Sequence, residues 1–111
     1  MENSKTFKEQ YNIGLDLLKK DISSCENNKL YSPIMHYYTH PLSVIEEEVN
    51  NAIKNNGDTE EFYNKKCEEI EELYKRLTIT VAYISYINAP KLEKIKRDIS
   101  YGLSKVIKKN N

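Results

Sequence analysis

Apolar residues return every three or four positions along most of this chain, the spacing that lines one side of an α-helix. The first run, Phe7, Tyr11, Leu15, Leu18 and Ile22, predicts a helix over about residues 5–23. Thr6 and Glu9 stand at capping-box spacing at its start, and the polar stretch "SSCENNK" follows it as a loop. A second stripe, Ile34, Tyr38, Leu42, Ile45, Val49 and Ile53, begins behind Ser32 and Pro33, a capping residue and a proline suited to the first helical position. It keeps its phase across Pro41, so residues 33–56 read as one helical region that is either kinked or broken there. A kink follows from losing the bond to the Tyr37 carbonyl; a break would have Thr39 or His40 capping a new helix. Gly57, at the end of "NNG", is expected to close the region in the left-handed conformation.

The third stripe, Ile70, Leu73, Leu77, Val81 and Ile84, starts after "GDTEEF", where Asp58 and Glu61 are spaced as a cap and its partner. Glu61 with Lys65, Glu71 with Lys75 and Glu72 with Arg76 are (i, i+4) pairs of the favourable order. Its second half, "TITVAYISYI", is rich in β-branched and aromatic residues and would suit a strand. The stripe nevertheless runs through it in phase and no partner strand is evident, which predicts helix. Pro90 ends this element and suits the start of the next, where Leu92, Ile95, Ile99, Leu103 and Val106 share one side. Four amphipathic helices with short connections predict an all-α antiparallel four-helix bundle, a single domain over residues 1–111. Three glycines and three prolines are too few for a turn-rich sandwich or barrel.

Composition narrows the function mainly by exclusion. No apolar run approaches the roughly 20 residues that span a bilayer. The opening "MENSKTFKEQ" carries charge where a secretory signal would be apolar, so a soluble cytoplasmic protein is expected. Cys25 and Cys67 lack Cys-x-x-Cys spacing and read as two ordinary thiols, whose pairing the sequence leaves open. His36 and His40 stand at the (i, i+4) spacing of helical zinc sites, with Glu47 as a third donor two turns on. Tyr37 occupies the position of the general-base glutamate of a His-Glu-x-x-His site, and Pro41 would disturb the geometry. The expectation is therefore solvated histidines and no metal. No phosphate loop, nucleophile elbow or acid–base pair is present, so neither an enzyme nor a cofactor is expected.

The formal charge of zero conceals an uneven distribution. Residues 30–88 carry five basic and ten acidic side chains, whereas residues 89–111 carry seven basic and two acidic. On the last helix Lys94, Arg97, Tyr101, Lys105 and Lys108 form a basic line opposite the apolar stripe. That line is a candidate partner-binding surface for an acidic protein, a lipid headgroup surface or, more weakly given the acidic remainder, a nucleic-acid backbone. A second candidate is the face of helix three bearing Ile79, Tyr83 and Tyr86. It is either covered by helix two or the N-terminal segment, or exposed as an aromatic patch; core packing is the expected reading, with Tyr31, Tyr37 and Tyr38 gathered near Tyr83 and Tyr86.

The stretch "YKRLTITVAYISYINAPKLEKI" resembles the immunity proteins that protect producers of pediocin-like bacteriocins, the enterocin A immunity type. The shared features are Arg76 and Leu77, an aromatic-rich run with Tyr86, Asn88 at the helix end, and an apolar position at Leu92 or Ile95 opening the last helix. The resemblance implies an antiparallel bundle without catalysis. It also implies protection from the cytoplasmic side by association with the membrane sugar permease that the bacteriocin targets, or with its bacteriocin complex, the C-terminal half setting which bacteriocin is countered. The alternative is a small helical regulatory or nucleic-acid-associated protein acting through the basic face of the C-terminal helix.

Overall fold

A computed structural model describes residues 6–88 and 93–110, with the side chains of residues 88, 93–96 and 108–110 outside that description. Its elements are α1 (Phe7–Glu26), a 3₁₀ turn (Ser32–Ile34), α2 (His36–Lys54), α3 (Glu60–Asn88) and α4 (Glu93–Asn110). The chain is an all-α four-helix bundle, as the four stripes require, with no strand among the described residues. The Thr6 hydroxyl accepts from the Glu9 amide at 3.1 Å while the Thr6 amide donates back to Glu9 Oε1 at 2.9 Å, completing the capping box. α2 runs through Pro41 without a break.

Four helix ends differ from expectation. α1 runs on to Glu26, so Ser23, Ser24 and Cys25 of the expected loop are helical and Cys25 is buried; Ser32 opens a separate 3₁₀ turn rather than capping α2, which starts at His36 behind Met35. Asn56, not Gly57, takes the left-handed conformation after α2, with φ 58°. The Gly57 amide donates to the Ala52 carbonyl at 2.7 Å and the Asn56 amide to that of Ile53 at 3.3 Å. This is a Schellman closure in which asparagine, the non-glycine residue that best tolerates that geometry, does the turning. At the start of α3 the cap is Thr59, whose hydroxyl accepts from the Phe62 amide at 3.1 Å. Asp58 instead accepts from the Tyr63 hydroxyl at 3.3 Å.

The helices alternate in direction, but they do not share the core equally. Phe7 and Lys8 donate their amides to the Glu60 carboxylate, at 2.9 and 3.4 Å, and the Tyr11 and Tyr63 rings lie 5.8 Å apart. Further along, Asp21 meets Tyr74, so α1 and α3 run parallel. Both are antiparallel to α4, which brings Val106 toward Gly14 and Gly102 toward Tyr74. A Cβ on Gly14 would stand 3.2 Å from Ile70, tighter than usual packing, so the small residue sets how closely α1 approaches α3. Leu18, Tyr74, Leu77 and Ile99 are buried in this three-helix core, each contributing about 1.5–3 kcal/mol of transfer free energy. α2 packs beside α3 at the edge of that core, inserting Tyr38, Leu42, Ile45 and Val49. The Cα envelope is flattened, 46 × 32 × 16 Å.

At the centre of the triangle the Tyr74 hydroxyl, fully buried, donates to Asp21 Oδ2, itself 7% exposed. Burial pushes the Asp21 carboxyl above the usual carboxylate range; Asp98 reinforces the shift, while the Tyr74 hydrogen bond and Lys20 oppose it. A side chain on Gly102 would overlap both partners of this bond.

Candidate functional site

α2 is antiparallel to α3, and the side it takes decides how much of α3 is covered. The hydroxyls of Tyr31 and Ser85 share a hydrogen bond at 3.0 Å, and those of Tyr38 and Thr80 share one at 2.5 Å. Tyr31 and Tyr38 are thus both buried against the C-terminal half of α3. The 3₁₀ turn intervenes between them, so α2 itself reaches only to the level of Thr80. The outer side of α3, beside that point and beyond it, is bare. Ile79 is 69% exposed, Tyr83 67%, Tyr86 85% and Ile87 61%. The core-packing expectation for Ile79, Tyr83 and Tyr86 is therefore corrected: they form an exposed aromatic face. Tyr37, expected to pack with them, points out at 65% exposure, its ring 4.1 Å from that of His36.

The same face continues into a groove of about 510 Å³ between α2 and α3. Pro41, Val44, Ile45 and Leu73 supply its apolar lining, and Glu48, Glu68, Glu69 and Glu72 its acidic rim, with His40 and Arg76 alongside. Lys66, only 7% exposed at its side chain, is held by Glu48 at 2.5 Å and Glu69 at 3.1 Å and lies 5.2 Å from the centre of the Phe62 ring. Burial works against its charge, but the hydrogen bonds it donates to Glu48 and Glu69 outweigh that and hold the pKa above the ordinary lysine value. Glu71–Lys75 (3.8 Å) and Glu72–Arg76 (3.5 Å) pair as expected, whereas Glu61 and Lys65 do not. The rim keeps a surplus of negative charge, since one lysine serves two glutamates and Glu68 has no cationic partner among the described residues.

Pro41 lines this groove half-buried, in the interior of α2, where it supplies no amide for the Tyr37 carbonyl. An interior proline costs about 3 kcal/mol relative to alanine, part of it returned through a stiffer unfolded chain. Pro41→Ala is expected to raise stability by about 1 kcal/mol, read as a higher urea midpoint with unchanged slope. A loss of stability would mean that the ring itself holds α2 on α3.

On α4, Arg97, Tyr101 and Lys105 are exposed, and the Lys105 ammonium sits 5.3 Å from the centre of the Tyr101 ring. The side chains of Lys94 and Lys108 lie outside the described residues. His36, His40 and Glu47 are exposed, and no group of three potential metal ligands occurs among the described residues. Cys25 and Cys67 are buried free thiols, pushed by burial up to about 12 and about 11 respectively, so neither is a nucleophile near neutral pH. No helix of the described residues is long and apolar enough to cross a membrane.

Sequence reasoning missed the groove and the buried polar groups Asp21, Lys66 and Ser85. A signal existed for two of them. Asp21 falls in phase with Tyr11, Leu18 and Ile22, and Lys66 with Tyr63, Ile70 and Leu73, positions at which a charge must find a partner.

Comparison with known proteins returns no match: no family, no curated protein and no solved structure aligns with the chain.

Proposed function

We propose that this chain is a non-enzymatic binding protein that engages a protein partner through the exposed aromatic face of α3. The observation that carries the reading is the contiguous exposure of Ile79, Tyr83, Tyr86 and Ile87 on a helix whose other side is fully packed. Exposed aromatic clusters of this kind are uncommon on a free surface, and tyrosine is among the residues that dominate interface energetics.

The most specific form of the proposal is immunity to a pediocin-like bacteriocin. It rests on the resemblance over α3 and the start of α4, where Tyr86 belongs both to the similar stretch and to the exposed face. In that form the protein acts from the cytoplasmic side on the membrane sugar permease or its bacteriocin complex. Expression in a sensitive strain is expected to confer resistance to one member of a bacteriocin panel. The pair Tyr83→Ser and Tyr86→Ser is expected to abolish it, with smaller losses from changes at Lys94, Arg97, Tyr101 or Lys105. Unchanged sensitivity across the panel sinks the immunity reading.

The exposure of Arg97 and Lys105 supports a second reading, a regulatory or nucleic-acid-associated protein acting through α4. Its mark would be salt-dependent retention on DNA or RNA that is lost when both residues are neutralised.

A further inference from the structure

The α2–α3 surface changes character along its length, and both walls change in the same direction. On α3, Glu68, Glu72, Arg76, Ile79, Tyr83 and Tyr86 follow one another at three-to-four spacing and so occupy one stripe. On α2, Glu48, Val44, Pro41 and Tyr37 do the same, and because the helices are antiparallel Glu48 lies at the acidic end of α3 while Tyr37 lies toward the aromatic end. Both placements are fixed by contacts: Lys66 bridges Glu48 and Glu69 at one end, and Tyr38 meets Thr80 at the other. From Glu68 to Tyr86 the stripe is about 27 Å long at the helical rise of 1.5 Å per residue.

We infer that this surface receives an amphipathic helical segment of a protein partner, with basic residues at one end and apolar or aromatic anchors two to three turns away. The inference deepens the proposed function and rests on its reading of the α3 face. Charge complementarity selects the occupant. Glu48 and Glu69 share one lysine, Glu72 is matched only by Arg76, and Glu68 is unmatched, so the rim attracts a cation and disfavours an acidic segment. The groove beneath that rim is open and apolar, lined by Pro41, Val44 and Leu73, which suits side chains projecting from one face of a helix rather than a ligand enclosed on all sides. At the far end the exposed tyrosines offer wide, stiff contact surfaces for apolar anchors.

The probes are synthetic 18-residue helical peptides titrated onto the full chain at low and moderate salt. One carries lysines in its first two turns and leucine and phenylalanine anchors in its last two, a second has the order reversed, and a third scrambles the same residues. One ordered peptide is expected to bind at least about tenfold more tightly than the scrambled one, the margin of a few well-placed anchors. Ile79→Ser with Tyr83→Ser is expected to weaken it about tenfold at either salt concentration, and Glu68→Lys with Glu72→Lys about tenfold at low salt only. All four positions are exposed, and an unchanged helical spectrum confirms that the variants fold.

Equal binding of ordered and scrambled peptides overturns the inference. So does tighter binding of an acidic counterpart. Concentration-dependent self-association that the same variants abolish also overturns it, in favour of a second copy of the chain as the occupant. If Tyr83→Ser destroys bacteriocin protection while no peptide binds, the partner chemistry is wrong and the α3 reading survives. If the ordered peptide binds and protection never depends on Tyr83, the inference stands and the immunity reading falls.

Discussion

Replacing Tyr74 with phenylalanine is expected to cost about 2 kcal/mol at neutral pH, although it removes one oxygen from a well-packed ring. That oxygen is the hydrogen-bond donor to Asp21, and both groups are buried where α1, α3 and α4 meet. Without it the carboxylate keeps its desolvation penalty and loses its partner. Removing both polar groups together, Asp21→Leu with Tyr74→Phe, is expected to recover most of the loss, because an apolar pair leaves nothing unsatisfied. The pH dependence follows from the direction of the Asp21 shift. Burial raises its folded-state pKa above the ordinary carboxylate value, so between those two values the folded protein binds more protons than the unfolded chain. Stability associated with this residue is therefore full below the ordinary carboxylate pKa and is lost as pH rises through the raised one. Asp21→Asn keeps an acceptor for Tyr74 and cannot ionise. It should be more stable than the parent at neutral pH, the two converging as the pH is lowered toward 4, the usual carboxylate range. Urea titrations at a series of pH values measure this directly, and a parent that gains on the Asn variant as pH rises would contradict it.

Gly102→Val is expected to destabilise the protein by about 3 kcal/mol, the upper part of the range for overpacking. Valine is a better helix former than glycine, so local propensity alone predicts the opposite sign. The Cβ would fall on the Tyr74 hydroxyl and within 2.8 Å of Asp21 Oδ2. Tyr74 cannot swing aside because its ring is fully enclosed. Combining Gly102→Val with Tyr74→Phe should cost less than the sum of the two, since each relieves part of the other; strict additivity in a double-mutant cycle would show that the glycine is needed for another reason.

The helices and their buried sides were legible in the sequence because a stripe at helical spacing is a direct record of which side is dry. Leu77 and Val81 carried that record through "TITVAYISYI", and burial against α1 and α4 overrides the strand preference of the intervening threonines and isoleucines. Helix ends were less legible. Asp58 and Thr59 are both good caps, and the choice depends on which side chain is already engaged; Asp58 is, by Tyr63. The exposed face was misjudged for a geometrical reason. Periodicity shows that Ile79, Tyr83 and Tyr86 share a side of α3 but not which side α2 takes; α2 meets α3 along Lys66 and Thr80, and Ile79 stays exposed even at the level of that contact. The basic line on α4 was read correctly as exposed at Arg97, Tyr101 and Lys105. The groove was invisible because its two walls are 20 or more residues apart in the chain, and only their antiparallel register brings Glu48 beside Glu69.

The peripheral place of α2 gives the chain a division of mutational labour. Three helices hold one another through residues such as Leu18, Leu77 and Ile99, so a change there is felt by the whole fold. The outward positions of α2, among them Pro41 and Val44, line the groove and take no part in that mutual support. A lineage can alter what the groove accepts by drifting at those positions while its foldability stays intact, and the partner range of such a protein can diverge faster than its scaffold.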